Sequence, residues 1–127
     1  LGRVVGVGGL FLQFKGSKQE VQDWYEQNLG LPMSQYGSGF TQGEQLMLFS
    51  FSNDSEETPL VNLRVDDLDA VVATIAGQGA DVGVISDYGI GRFVRFTDPF
   101  GNLIELWEPR ADEYRAMVKA EIEAYHK

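Results

Sequence analysis

Glu105 stands between Leu103 and Trp107 in the run Leu103-Ile104-Glu105-Leu106-Trp107-Glu108-Pro109, just after Asp98-Pro99-Phe100-Gly101-Asn102. Alternate residues of a strand share a face, so Leu103, Glu105 and Trp107 look one way while Ile104 and Leu106 look the other. A carboxylate fixed between two large apolar side chains on a rigid element can act as an acid/base group, the candidate catalytic role for Glu105, or as a ligand contact. The same pattern also describes an ordinary exposed sheet face. A second segment, Leu60-Val61-Asn62-Leu63-Arg64-Val65, alternates likewise and puts Leu60, Asn62 and Arg64 on one face. Arg64 is then either the ion-pair partner of Glu105 or a fork for a ligand carboxylate or phosphate. Phe11, Tyr88, Phe93 and Trp107 are available to line an apolar pocket, with Gln13 and Asn62 as amide contacts. The loop Tyr88-Gly89-Ile90-Gly91-Arg92 lacks the Gly-x-Gly-x-x-Gly spacing of a phosphate cradle, and no Gly-x-Ser-x-Gly elbow occurs anywhere.

The elements that must position these residues come in two similar sets. Val5 to Phe14 alternates as a strand, and burying its most apolar set turns Leu10, Leu12 and Phe14 to a helix. Gly9, Phe11, Gln13 and Lys15 then face a cleft. Ser17 precedes Glu20 at capping-box spacing, and the helix it opens carries Val21, Trp24, Tyr25 and Leu29 on one face before Gly30 and Pro32 end it. Strands are expected around Met33–Tyr36, Gly39–Gln42 and Gln45–Phe51, and the polar Ser52–Thr58 stretch reads as a linker. The order then repeats. Leu60–Val65 is a strand, Asp66 a candidate N-cap, and Leu68, Val71, Val72 and Ile75 have the spacing of a buried helix stripe. Strands near Ala80–Ile85, Arg92–Thr97 and Leu103–Glu108 complete the unit. The pattern predicts an α+β fold in which two tandem βαβββ modules, residues 4–52 and 58–109, form a cleft within a single domain spanning 1–127. A C-terminal helix over 111–126 carries Tyr114, Met117, Val118, Ile122 and Tyr125 as an apolar stripe, to be covered by its own domain or by a partner chain.

Three segments carry a family resemblance: Phe96 to Pro109, Asp23-Trp24-Tyr25-Glu26-Gln27-Asn28-Leu29-Gly30-Leu31, and Val61-Asn62-Leu63-Arg64-Val65-Asp66-Asp67-Leu68-Asp69-Ala70. They resemble the closing hairpin, the end of the first helix and the second strand-to-helix junction of the vicinal-oxygen-chelate superfamily. That superfamily includes glyoxalase I, extradiol dioxygenases, and fosfomycin- and bleomycin-resistance proteins. The resemblance implies the same paired βαβββ modules. It also implies a cleft metal held by His, Gln or Glu near the starts of the two module-opening strands and by a Glu on the closing strand. Glu105 matches the last position. The others fall on Leu60 and on Gly9 or Leu10, none with a donor side chain. The only histidine is His126, and there is no cysteine, so Zn, Fe or Ni sites in their usual form cannot be built. Gln13, Asn62 and Glu105 would be a weak oxygen set for Mg²⁺. The expectation is no metal and no cofactor.

With 127 residues, 10 Lys plus Arg against 19 Asp plus Glu and a net charge of −9, the chain is a poor nucleic-acid binder and is compatible with a cationic ligand. No apolar run approaches the roughly 20 residues of a membrane span, and the first residues lack a signal pattern, so a cytoplasmic protein is expected. These observations predict a metal-independent protein that holds a small molecule in the cleft and forms a homodimer. The alternative is a lyase, isomerase or dioxygenase of the same superfamily with an atypical metal site. A third reading is metal-free acid/base catalysis by Glu105.

Overall fold

The computed structural model describes residues 2–13, 15–31, 38–42, 45–52 and 58–125. The expected strand at Met33–Tyr36, most of the linker, Phe14 and His126 lie outside the described residues. The first set of elements is β1 (Val4–Gln13), α1 (Lys18–Leu29), β2 (Ser38–Gln42) and β3 (Gln45–Ser52). The second is β4 (Val61–Val65), α2 (Leu68–Ala76), β5 (Asp81–Val82), β6 (Ser86–Tyr88), β7 (Gly91–Thr97) and β8 (Leu103–Pro109), followed by α3 (Ala111–Tyr125).

The described strands form one mixed sheet in the order β2-β3-β1-β4-β8-β7-β5, with β6 added on β7. Each opening strand lies parallel to the closing strand of its own module: β1 to β3 and β4 to β8. The two modules join where β1 runs antiparallel to β4. Opposed residues of an antiparallel pair share a face. Leu10 is opposite Val61 and Gly9 opposite Asn62, so Leu10 lies on the helix face and Gly9 on the cleft face, the register that burial of the apolar set predicted. A register shift between Val7 and Gly9 makes this possible by putting the extra residue Gly8 into β1. Only glycine fits there: a Cβ on Gly8 would stand 2.0 Å from Asn62 Oδ1 and 3.1 Å from the Trp107 ring.

The core on the helix face consists of Val65, Leu68, Val94 and Leu106, with Leu63, Val71, Val72, Ile75 and Phe96 packed around it. Full burial of such a side chain is worth about 1.5–3 kcal/mol, so the α2 stripe and alternate residues of β4, β7 and β8 carry the fold of the second module. The cap of α2 sits one residue later than expected. Asp67 accepts the Ala70 N–H at 3.1 Å, while Asp66 instead accepts the Arg3 N–H at 2.7 Å and ties down the start of the chain. Ser17 caps α1 as expected, accepting the Glu20 N–H at 3.2 Å, and Gly30 closes it in the left-handed conformation at φ 67°. The apolar stripe of α1 is not buried, however: Trp24 is 55% exposed and Leu29 67%. That helix packs mainly at β3 rather than over the sheet centre. Of the expected strand over Ala80–Ile85 only Asp81–Val82 forms as β5, with the Gly83 N–H continuing its pairing to the Arg95 carbonyl, and β6 (Ser86–Tyr88) lies just beyond the expected range.

Candidate functional site

The β7–β8 hairpin builds the site. Asp98 turns the chain by accepting the N–H groups of Phe100 and Asn102, both at 2.9 Å, and Gly101 takes the positive φ of 93° that the turn requires. Those bonds hold the Asp98 carboxyl below its ordinary pKa, the backbone bond from Asn102 contributing most. The turn fixes the register Thr97↔Leu103, Arg95↔Glu105, Phe93↔Trp107. Parallel pairing of β8 with β4 then sets Asn62 beside Glu105 and Arg64 beside Trp107. Eight side chains of the cleft face thus come from three adjacent strands.

Glu105 is 9% exposed and both of its oxygens are engaged. Oε1 accepts the Asn62 Nδ2 hydrogen at 2.7 Å, and Oε2 accepts the Arg95 Nε hydrogen at 3.1 Å. The cation beside Glu105 is therefore Arg95. The pairing with Arg64 that the sequence allowed does not form. Arg64, 7% exposed, donates to Gln45 Oε1 at 2.9 Å and lies over the Tyr114 ring with its guanidinium carbon 5.0 Å from the centroid. Arg64 Nε and Asn62 Oδ1 are buried with no hydrogen-bond partner among the described residues.

Next to this pair lies a cavity of about 780 Å³, whose walls include Val84, Ser86, Tyr88, Phe93, Arg95 and Glu105. A file of aromatic rings runs from its mouth into the protein. Tyr88 meets Phe93 at 5.4 Å, Phe93 stacks on Trp107 at 5.5 Å, and Trp107 meets Tyr114 edge-on at 5.6 Å. Trp107 is 2% exposed and anchored by donating from Nε1 to the Ile90 carbonyl at 3.1 Å. Tyr114 belongs to α3, so the C-terminal helix folds back onto the cleft face of its own domain. The Tyr114 hydroxyl accepts the Leu46 N–H at 2.8 Å, Val118 is buried, and Glu121 fits against Gly39, where a Cβ would come within 2.6 Å of its carboxyl carbon. Burial raises the Glu121 pKa above its ordinary value. The helix thus occupies the module-one side of the cleft, and the open part belongs to module two.

Tyr88, Phe93 and Glu105 stand in the cavity wall as candidates, with Trp107 behind Phe93 and Asn62 behind Glu105. Arg64 lies under α3. Phe11 and Gln13 are not in the wall: β1 carries Phe11 beside Ser50, and Gln13 is exposed at the strand end. Leu60, expected to face inward, precedes β4 and is 62% exposed. Sequence reasoning missed Arg95, Ser86 and Tyr114. The signal for Arg95 was present: once Asp98–Asn102 is a turn, Thr97 opposes Leu103 and Arg95 must oppose Glu105.

Residues 11–106 match the Glyoxalase/Bleomycin resistance protein/Dioxygenase superfamily, and the chain belongs to it. A search of the curated proteins finds no match. Among solved structures the chain is similar to methylmalonyl-CoA epimerase, at 16% identity and TM-score 0.55 over 84% of this chain and 97% of that one. It is also similar to homoprotocatechuate 2,3-dioxygenase from B. fuscum, at 16% identity and TM-score 0.56, over 85% of this chain and 33% of that one. TnmS3, an antibiotic binding protein from Streptomyces sp. CB03234, is 21% identical over 84% of this chain and 98% of its own, with TM-score 0.38. The first two likenesses are of fold. No helix among the described residues is long and apolar enough to cross a membrane.

The resemblance implied a divalent metal, and the residues at the positions it matches do not fit one. No group of three or more His, Cys, Asp or Glu side chains converges among the described residues. Glu105 already has a donor on each oxygen, and Leu60 and Gly9 contribute no donor atom.

Proposed function

We propose that this protein binds a small molecule in the module-two half of its cleft and does so without a catalytic metal. The observation that carries the reading is the cavity of about 780 Å³ that abuts the Arg95–Glu105 pair and has aromatic rings for walls. Its size and its mixture of apolar surface with a few fixed polar groups are those of a ligand site. Glu105 acts here as an anchor. A carboxylate whose two oxygens each hold a donor is suited to fixing Arg95 and Asn62 in place, and less suited to taking a proton from a substrate. That favours binding over acid/base chemistry. Assembly as a homodimer belongs to the same reading, because β2 and β5 end the described sheet and exposed edges are ordinarily paired or covered.

Elemental analysis of protein purified without chelator tests the metal-free part. The expected result is no stoichiometric divalent metal, and about one Zn, Ni, Fe or Mn per chain, lost together with binding on chelation, would overturn it. Sedimentation of the full chain at tens of micromolar tests the dimer, and a monomer there refutes it.

A further inference from the structure

We propose that the module-two cavity selects aromatic carboxylates, with the Arg95 guanidinium as the built-in cation that receives the carboxylate and Phe93 and Tyr88 as the stacking surface. The inference deepens the binding function proposed above and rests on it. It reverses what the net charge of −9 suggests, because the uncommitted groups in a cavity wall decide which ligand polarity is satisfied there.

The carboxylates near the cavity are already committed. Glu105 holds Asn62 and Arg95. Asp87, next to the wall residue Ser86, accepts from Arg110 Nη2 with both oxygens at 2.7 and 2.8 Å. A cationic ligand would therefore have to share the wall carboxylate Glu105 with the Arg95 guanidinium, a like charge beside it. Arg95 is different. Its only side-chain hydrogen bond among the described residues is from Nε, its side chain is 48% exposed, and it borders the cavity. The two terminal nitrogens thus remain as a donor edge, fixed in orientation because Glu105 grips the inner one. Planar guanidinium donors of this kind match a carboxylate in a bidentate pair. The Ser86 hydroxyl, across the β6–β7 pair from Phe93, adds a neutral donor in the same wall. Beside these donors, Tyr88 and Phe93 present rings backed by buried Trp107, so an aromatic ring attached to the carboxylate gains stacking without moving the wall. In this site the guanidinium stands next to the closing-strand carboxylate, where the superfamily resemblance implied a metal ion.

The test uses the full chain and three probes of one shape: 2-naphthoate, 2-naphthamide and 2-naphthylmethylammonium, titrated calorimetrically. Naphthoate is expected to bind about tenfold or more tighter than the amide, as a charge-assisted pair adds over a neutral contact, with the ammonium weakest. Salt should weaken naphthoate binding and leave the amide unchanged. Arg95→Gln should bring naphthoate down to the affinity of the amide, and Arg95→Lys, which keeps the charge beside Glu105, should retain part of the preference. Tyr88→Ala should weaken all three alike. If the amide or the ammonium binds as tightly as naphthoate and Tyr88→Ala weakens it, anion selection is wrong while the binding function stands. If none of the probes binds at millimolar concentration, both are wrong. Should Arg95→Gln fail to fold, the charge series and its salt dependence in the wild type decide the matter alone.

Discussion

Replacing Glu105 by glutamine removes one charge and one acceptor from the centre of the site, and the structure fixes what that must cost. The carboxylate takes two donors, Asn62 Nδ2 at 2.7 Å and Arg95 Nε at 3.1 Å. An amide has one acceptor oxygen. Turned toward Asn62, it sets its NH₂ against the guanidinium; turned the other way, it leaves the Asn62 amide, 5% exposed, without an acceptor. Losing a hydrogen bond to a charged partner costs about 1.5–3 kcal/mol. Two effects reduce this. A neutral amide is cheaper to bury than a carboxylate, and the Arg95 side chain is 48% exposed, so water screens its half of the pair. A net loss of about 1–2 kcal/mol follows. With an unfolding entropy near 2.1 cal/mol/K per residue over 127 residues, Tm should fall by about 4–7 °C. Calorimetric melts and urea titrations of the wild type, Glu105→Gln, Arg95→Gln and the double variant measure it, and the pair should show a coupling of about 0.5–2 kcal/mol. A Glu105→Gln protein at least as stable as wild type, with additive single effects, would refute the account of Glu105 as the anchor of Arg95.

Gly8→Ala should destabilise by about 1–3 kcal/mol through overpacking, because the new Cβ would meet Asn62 Oδ1 at 2.0 Å, and urea unfolding measures it. Tyr114→Phe leaves the N–H of Leu46, itself 1% exposed, without its 2.8 Å acceptor, so a loss of about 1–3 kcal/mol in urea unfolding is expected. The two shifted carboxyls give opposite pH effects. Asp98 has its folded pKa depressed by the turn bonds, so its contribution is complete above the ordinary value of 3.8 and is lost as pH falls through the lower folded value. Asp98→Ala should remove that acid-side loss. Glu121 has its folded pKa raised by burial, so its ionisation costs stability as pH rises above the ordinary value of 4.5. Glu121→Gln should melt higher than wild type at neutral pH and equally at pH well below that value; a variant no more stable at neutral pH would contradict the burial of this group.

Local patterns carried much of the architecture. The Ser17 cap, the Gly30 terminus, the α2 stripe and the Asp98–Gly101 turn are set by interactions within a few residues, and each appears in the structure as read. Period-two alternation placed Asn62, Arg64, Glu105 and Trp107 on one face, since a strand offers its side chains no other arrangement. Where such patterns failed, the neighbour was distant in sequence. Trp24 and Leu29 have helical spacing and yet stay exposed, because spacing gives a face and not what covers it. Asp66 and Asp67 are both fit to cap α2, and the choice fell to Arg3, which lies far along the chain and takes the first.

The composition of the cleft face was thus decided by sequence, and the partnerships on it by tertiary structure. Glu105 could be named from its own strand. Its cation could not be named from β4, because two arginines lie on the cleft face and only strand order and register determine which one reaches it. Arg95 is directly across the β7–β8 hairpin from Glu105, whereas Arg64, two residues beyond Asn62 along β4 and beside Trp107, turns to Gln45 and to a ring supplied by α3. The helix that supplies this ring begins two residues after β8 ends, and no periodicity within it shows which surface it will cover. Its folding back under Tyr114 and Val118 fills the module-one side of the cleft and leaves the cavity beside Arg95. Side-chain direction is a local property of the backbone and can be read from sequence. Across a tight hairpin the partner can be read as well, as Arg95 is from Glu105, but which charges of distant segments end within hydrogen-bond reach depends on how those segments pack, and that is settled only when the whole chain is folded.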